Sequence, residues 1–525
     1  MSNARTGTAA LILLTALSLS VGWGIRGNFG HEYGAMIPGA LAAMAAALLS
    51  GRDDWWPRTA YFGFFGALGW SLGGSISYMQ VIAYTHSGDS ASVLYGFACL
   101  FVIGFLWAAM GGAGAGLAAC LDREQLTEFF APLTAVFVAW CFQDVLAGLV
   151  EPADSQFRQS SPLYWYDTDW LAALSAILAV GCLALVRRRW DRGSSLILHM
   201  AIGWWLGFLL LVVVLGLRMT PSRGDNWAGC LGMAGGLWWY LRRRGWSEVT
   251  LASVLAGLVG GFGFATATML KLVEMKSGWQ ANWHSILEQT YGFFNGIGMA
   301  LAMIFLAQRA KRVANEPRVR RWTDVYAVGF ILLVITYVNL RKNPSVWVQS
   351  KALPAVLYGL SATVWFDLAY AILALVAILL LSLHQRRRLP VVPDSPLGQG
   401  QLLYTVFLWW MVIGNFERAL VSFAPQRLAT EGVIHLNAAL CTLLVLACAT
   451  PRSAPSVRWP ATLGGATKRL ATLGLAGFAL CVLLDWAIVR GLYGDQFAGQ
   501  ARLHVRFGPN ATATSAKPRT DQPHP

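Results

Sequence analysis

Hydrophobic residues along this chain are gathered into long runs, which short polar or basic stretches separate. Most of these runs are long enough for an α-helix to cross the ~30 Å hydrocarbon core of a bilayer, and they lack the polar face of a soluble amphipathic helix. The pattern predicts an all-α fold, a polytopic transmembrane helix bundle of about fifteen spans. The predicted spans cover residues 9–25, 34–50, 60–84, 93–119, 130–150, 169–186, 195–217, 227–241, 249–271, 290–308, 324–340, 358–383, 401–423, 432–449 and 470–490.

The overall composition supports this membrane assignment. Of the 525 residues, 56% are hydrophobic and 13% are charged, which is too apolar for a soluble domain. The first run follows Arg5 and has no small-residue cleavage site before Trp23. We therefore interpret it as a retained first helix rather than a signal peptide.

The net charge of +14 is distributed unevenly along the chain. If the N-terminus is cytoplasmic, 24 of the 40 Lys and Arg residues lie on the cytoplasmic side, including the clusters at 187–189, 242–244 and 386–388. This positive-inside pattern predicts a multi-pass protein of the cell membrane, in a bacterium the inner membrane, with a cytoplasmic N-terminus. The clusters adjoin the bilayer with little aromatic interleaving, so the predicted partner is the lipid bilayer and not nucleic acid.

An internal repeat is predicted from five pairs of short motifs, which recur in the same order at offsets of 191–200 residues. Each copy has an even number of spans, so the two copies share one orientation and form a parallel repeat. The paired motifs are 26–28 with 223–225, 66–80 with 257–271, 95–97 with 291–293, 165–167 with 365–367, and 187–189 with 386–388. The predicted domains are a first six-helix repeat at 1–192, a second at 193–389, three additional membrane helices at 390–492, and a disordered polar tail at 493–525.

Six plus six spans in parallel copies resembles the layout of the major facilitator superfamily over residues 9–388. That family carries a Gly/Asp/Arg signature between its second and third spans. Here the loop 51–58 has these residue types in a different order, and the loop 242–246 of the second copy departs further. The resemblance implies a transporter in which two helical halves rock around a central site.

The most unusual polar segment is residues 23–39, called here the opening stretch, which joins the first two spans. It carries Arg26, His31 and Glu32 among glycines at 24, 27, 30 and 34. Glycine permits a positive φ and a close approach to a ligand, whereas charged groups at a membrane edge are costly unless they are paired or solvated. The stretch is thus either a tight connection in which Arg26 pairs with Glu32, or a ligand or catalytic site.

Comparison of the two copies favours a site in the opening stretch. His31 and Glu32 align with Ala228 and Gly229, so only the first copy has titratable side chains here. A structural turn has no need of such side chains, and a histidine beside a carboxylate can change charge near neutral pH. The predicted catalytic residues are therefore His31, Glu32 and Arg26.

Other polar residues lie inside predicted spans or at their outer ends. Gln80 and Lys271 are equivalent in the two copies, and Lys271 either reaches the membrane surface or lines a central cavity. Glu417 and Arg418 are adjacent in one span and cannot share a helix face, so they are expected to have different partners. The candidate substrate-binding residues are Gln80, Ser77, Asp144, Lys271, Thr268, Glu417 and Arg418.

The cysteines and glycines indicate no cofactor. All eight cysteines lie in apolar segments without a Cys-x-x-Cys pair, so neither disulfides nor a metal site is predicted. The glycine run at 111–116 lacks the Lys-Ser/Thr of a phosphate loop and instead suits close helix packing.

Our first functional prediction is a secondary transporter of a polar small molecule. Its two halves would rock around a midplane site built from the candidate substrate-binding residues, and His31, Glu32 or Asp144 would carry a coupling proton. The alternative is a membrane-embedded transferase or hydrolase at the outer face, with His31 or Glu32 as acid or base and Arg26 holding an anionic donor such as a lipid phosphate. A third possibility is a structural subunit without a site. The repeat and the short outer loops favour transport, whereas the one-sided cluster and the added helices favour the enzyme.

Overall fold

The structure is a computed structural model of the chain. It describes residues 2–73, 75–76, 78–150, 169–217, 219, 226–312, 321–386, 389, 392–421, 425–448, 459–460 and 462–494. In chain order the α-helices are α1 Ser2–Arg26, α2 Glu32–Leu49, α3 Thr59–Gly73, α4 Met79–Tyr84, α5 Ser90–Cys120, α6 Arg123–Val150, α7 Asp169–Arg187, α8 Arg192–Gly207, α9 Asn226–Arg243, α10 Ser247–Met275, α11 Trp283–Arg309, α12 Arg321–Gly329, α13 Thr336–Leu340, α14 Lys342–Gln349, α15 Ala362–Arg386, α16 Pro396–Val421, α17 Pro425–Cys448 and α18 Leu463–Tyr493. A 3₁₀ helix spans Asp53–Arg58, and π-helical segments span Phe208–Val214 and Phe330–Ile335.

The predicted all-α membrane bundle is confirmed at the level of fold class. In the described part of the chain, twelve helices are long and apolar enough to cross a membrane. One small element departs from the all-α prediction: strands β1 Val356–Leu357 and β2 Leu360–Ser361 form an antiparallel hairpin. Its turn residues Tyr358 and Gly359 have φ of 48° and 82°, the left-handed values that favour tight two-residue hairpins.

The third predicted span, 60–84, is two helices rather than one. Helix α3 ends at Gly73, and α4 begins only at Met79. A Cβ at Gly73 would lie 2.8 Å from the Cα of Trp107, so this end of α3 lies directly against the backbone of α5. Glycine is a poor helix former, and a helix break beside the close contact brings Tyr78 into the protein interior.

The centre of the bundle consists of α1, α2, α3, α5, α10 and α11, whose apolar windows are mostly buried. Glycines allow these helices to touch through their backbones. A Cβ at Gly66 of α3 would lie 2.6 Å from the carbonyl oxygen of Gly39 in α2, and one at Gly104 of α5 would lie 2.5 Å from that of Gly260 in α10. The prediction that the glycine-rich helices pack closely is therefore confirmed.

The outer helices expose apolar side chains, as a lipid-facing surface requires. Leu149 on α6, Leu185 on α7 and Leu475 on α18 are 78%, 79% and 73% exposed. A soluble protein rarely presents so much contiguous apolar surface. Such faces are typical of a multi-pass membrane protein.

The three helices predicted as an added module dock at two separate places. Helices α16 and α17 lie against α1 and α2, and the Tyr404 hydroxyl is 2.6 Å from Ser18 Oγ of α1. Helix α18 lies against α5 and α10, where Trp486 Nε1 donates to the Ser90 carbonyl oxygen at 3.1 Å. The predicted tail beyond 494 lies outside the described residues.

Two buried arginines in the loop after α2 form hydrogen bonds to the ends of neighbouring helices. Arg52 pairs with Asp54 at 2.7 Å and donates to the carbonyl oxygens of Ala307, Ala310 and Lys311 at the end of α11. Arg58 donates to the Leu121 carbonyl oxygen at 2.6 Å, at the end of α5. The last carbonyls of a helix have no partner within the helix and carry partial negative charge, so cations stabilise these ends.

Candidate functional site

Arg26 ends α1 inside the protein, with its side chain 3% exposed. Its Nη1 donates to the Tyr78 hydroxyl at 3.2 Å and to Glu288 Oε1 at 3.3 Å. Its Nη2 lies 2.8 Å from His31 Nδ1. Arginine has no acceptor, so His31 Nδ1 must accept this hydrogen bond, and the ring proton sits on Nε2.

Aromatic rings surround the guanidinium of Arg26. The centres of the Trp23, Tyr78 and Trp107 rings lie 5.1, 5.5 and 5.4 Å from its Cζ. Ring faces attract a cation, and more strongly where water is excluded. The rings thus stabilise the buried charge together with Glu288.

Glu288 on α11 is the centre of this buried group. Its Oε1 accepts from the Tyr78 hydroxyl at 3.0 Å and lies 3.5 Å from His284 Nε2. A Cβ at Gly27 would lie 2.2 Å from Glu288 Oε2, so a larger residue there would force the Glu288 carboxylate to move. We call Arg26, His31, Tyr78, His284 and Glu288 the Arg26 network.

A cavity of about 540 Å³ lies beside the opening stretch. Three cationic side chains line it, and none of the described residues in its lining is acidic. We call it the basic cavity. Its lining consists of Asn28, Phe29, Gly30, Arg341, Lys342, Ser345, Val346, Gln349 and Arg418.

The turn after α1 supplies one wall of the basic cavity. Gly30 has a φ of 99°, a conformation that favours glycine, and it allows the chain to reverse into α2. Lys342 donates to the Phe29 carbonyl oxygen, and Arg418 donates to the Asn28 carbonyl oxygen at 2.6 Å. These bonds fix two of the three cations against the opening stretch.

Polar residues of α16 and α17 support the same turn. Asn28 Nδ2 donates to Asn415 Oδ1 at 2.6 Å, and Arg427 Nη2 donates to Asn28 Oδ1 at 2.9 Å. Asn415 in turn donates to Glu431, which lies 3.8 Å from Arg427 Nε. The added helices therefore complete the surroundings of the opening stretch.

The structure brings together two of the three predicted catalytic residues, Arg26 and His31. Glu32 is exposed in the first turn of α2. The carboxylate that pairs with Arg26 is Glu288. The expected alternative of an Arg26–Glu32 pair thus gives way to a pair between α1 and α11, because the chain turn directs Glu32 outward.

Two candidate substrate-binding residues of the first copy, Ser77 and the side chain of Gln80, lie outside the described residues. Their counterparts lie on α10. Thr268 is fully buried, and its hydroxyl donates to the Phe264 carbonyl oxygen within the same helix at 2.9 Å. Lys271 is half-buried and within electrostatic range of Glu288, which places it near the Arg26 network.

A further titratable group, His86, lies in the connection between α4 and α5. Burial lowers the pKa of His86, and the positive charge of Lys271 lowers it further. His86 is therefore neutral at neutral pH.

The remaining candidates lie on the surface or beside the basic cavity. Asp144 is exposed on α6, within electrostatic range of Tyr33 at the start of α2. Arg418 lines the basic cavity, whereas its neighbour Glu417 is half-buried and is not part of that lining.

Several residues that build the site carried no clear signal in the sequence. Glu288 and His284 stand four residues apart at a span end, a spacing that puts them on one helix face. Tyr78 and Lys342 had no such pattern. The distance along the chain explains this, since Arg26 and Glu288 are separated by 262 residues.

Comparison with known proteins identifies no relative, since no family model, curated protein or solved structure matches the chain. The described residues also contain no group of three or more His, Cys, Asp or Glu side chains that could hold a metal ion.

Proposed function

We propose that this protein is a secondary transporter of a small anionic solute, which enters through the basic cavity. The observation that carries the proposal is the charge of that cavity. Arg341, Lys342 and Arg418 line it together, and hydrogen bonds to the opening stretch hold two of them in place. Preorganised cations with outward-facing donors are the groups that recognise a carboxylate, sulfate or phosphate.

The opening stretch separates the basic cavity from the Arg26 network. Asn28, Phe29 and Gly30 line the cavity, while Arg26 and His31 reach into the interior. A proton on His31 Nδ1 would break its bond with Arg26, because both groups would then be donors. His31 directly follows Gly30 of the cavity lining, so protonation of His31 would alter a bond next to that wall. This connection supports a proton-coupled mechanism with His31 as the coupling group.

The break between α3 and α4 also supports transport. Helices interrupted inside the bundle are frequent at transporter binding sites, where their ends and unwound backbone face the substrate. Here the break brings Tyr78 to Arg26 and Glu288. The helix break therefore lies in direct contact with the buried charges.

Two parallel six-helix halves, about fifteen spans in all, belong to this proposal. In each proposed half, the two helices at the second and third paired motifs are in close contact. Helices α3 and α5 touch through Gly114, whose Cβ would lie 2.1 Å from the Phe65 carbonyl oxygen. Helices α10 and α11 touch through Gly298, where a Cβ would lie 3.1 Å from the carbonyl oxygen of Ala256. Such pairing is what two copies of one unit would give.

We predict a cytoplasmic N-terminus, with the basic cavity on the outer side. Arg52, Arg58 and Arg123 meet at the end of the bundle opposite Arg26, as the positive-inside rule requires. Reporter fusions after Arg189, Arg244 and Arg388 should all read cytoplasmic. A single external reading at one of these sites would refute the topology.

Lys342→Gln should weaken transport of the anionic solute. Losing one charge-assisted hydrogen bond costs about 1.5–3 kcal/mol, so the half-saturating concentration should rise roughly 10- to 100-fold. The measurement is uptake into proteoliposomes under an imposed pH gradient, with inorganic phosphate, sulfate, lactate and succinate tested in turn. Lys351→Gln, an exposed lysine just beyond α14, is the matched control and should leave uptake unchanged.

Two results would contradict the anion transporter. One is uptake reduced equally by Lys342→Gln and Lys351→Gln. The other is accumulation of a neutral sugar when none of the four anions accumulates.

One observation favours the alternative, a membrane-embedded transferase or hydrolase. His284 lies 3.5 Å and Arg26 lies 3.3 Å from Glu288 Oε1, and these groups together could move a proton and hold an anionic donor. Release of product from a phosphorylated lipid, without solute uptake, would support this enzyme over the transporter.

A further inference from the structure

A second cavity lies on the lipid-facing side of the bundle, between α5, α10 and α18. It has a volume of about 330 Å³ and is lined almost entirely by apolar side chains. We call it the α18 groove. Its lining consists of Phe101, Leu255, Leu258, Val259, Phe262, Trp459, Arg469, Leu470, Leu473, Gly474 and Gly477.

Two glycines of α18 create the α18 groove. Gly474 lies where α18 approaches α10, and a Cβ there would be 2.7 Å from Leu258 Cδ2. Gly477, one turn further, has no atom within 4 Å of its Cβ position, so it leaves open space. From Arg469 to Gly477 the helix advances about 12 Å at ~1.5 Å per residue. This is close to the depth of one leaflet, half of the ~30 Å core.

The polar end of the groove carries Arg469 and Trp459. Trp459 packs on Phe305 of α11 with ring centres 5.2 Å apart, and the Arg309 guanidinium lies 5.1 Å from the same Phe305 ring. Trp459 Nε1 is buried and has no hydrogen-bond acceptor among the described residues. One end of an apolar groove thus presents an exposed cation, the Arg469 guanidinium.

We propose that the α18 groove binds one acyl chain of an anionic phospholipid. The chain lies along Gly474 and Gly477, and the phosphate meets Arg469. The groove lies at the bundle end that also carries Arg52, Arg58 and Arg123, and basic pockets between membrane helices on the cytoplasmic side suit anionic headgroups. This proposal is independent of the transported solute.

The test measures lipid that stays with the full-length protein. The protein is extracted in a mild detergent from membranes containing phosphatidylglycerol and phosphatidylethanolamine, and retained lipid is measured by native mass spectrometry. Wild type should carry phosphatidylglycerol in preference to phosphatidylethanolamine. Gly477→Leu fills the groove and should lower total retained lipid at least 5-fold. Gly491→Leu, on the same helix and also facing open space, should retain wild-type amounts.

A charge variant separates headgroup recognition from acyl binding. Arg469→Gln should keep the bound lipid but lower the preference for phosphatidylglycerol at least 3-fold, whereas Lys468→Gln, an exposed neighbour, should not change it. Equal lipid in the two glycine variants would overturn the groove as the binding site. An unchanged headgroup preference in Arg469→Gln would overturn the anionic ligand.

Discussion

Glu288→Gln is expected to lower the free energy of unfolding by about 3–5 kcal/mol, the usual effect of removing one partner from a buried ion pair. Arg26 and Glu288 are 3% and 2% exposed, and no solvent screens them. The substitution preserves shape and the acceptor for Tyr78, but it leaves the guanidinium without a counter-charge. The measurement is chemical unfolding of the purified protein in one detergent.

Glu32→Gln is the matched control for this prediction. The change is chemically identical, but Glu32 is exposed, so the cost should stay within about 1 kcal/mol. The double variant Arg26→Gln/Glu288→Gln removes both charges and should recover much of the loss. Similar costs for Glu32→Gln and Glu288→Gln would show that Arg26 does not depend on Glu288.

Arg52→Met is expected to cost about 3–5 kcal/mol as well, for a different reason. Methionine keeps the aliphatic stem of Arg52 but loses the bidentate bond to Asp54 and three bonds to carbonyl oxygens in and just beyond the last turn of α11. Asp54, 7% exposed, would lose its 2.7 Å contact and keep the longer one to Arg58 at 3.7 Å. Loss of the loop anchor should also raise the rate of proteolysis near residue 52.

The control for Arg52→Met uses an ion pair at the same end of the bundle. Arg312 and Asp53 lie 3.6 Å apart but are 63% and 59% exposed. Exposed pairs contribute about 0–1 kcal/mol, so Arg312→Met should have little effect on unfolding. Equal costs for the two variants would contradict the role of Arg52 in capping α11.

The loop containing Arg52 illustrates how far the sequence could be interpreted. Its residue types resembled a signature of the major facilitator superfamily, although their order differed. In the structure these residues bind the ends of α11 and α5. The residue types of a loop predict that its charged side chains will make contacts. Tertiary packing decides which helix ends those side chains contact.

The hydrophobic runs by themselves determined the fold class, because a run of about twenty apolar residues is stable as a membrane helix wherever it packs. They also located the opening stretch, because charged residues between two such runs are costly unless they are paired or solvated.

Only the tertiary structure decided which groups meet. Glu288 comes from α11, Tyr78 from a helix break, and the cations of the basic cavity from α14, α16 and the residue before α14. Local periodicity sets which face of a helix a side chain occupies. Packing between segments hundreds of residues apart decides which helix lies against that face, and the local sequence does not indicate which helix this is.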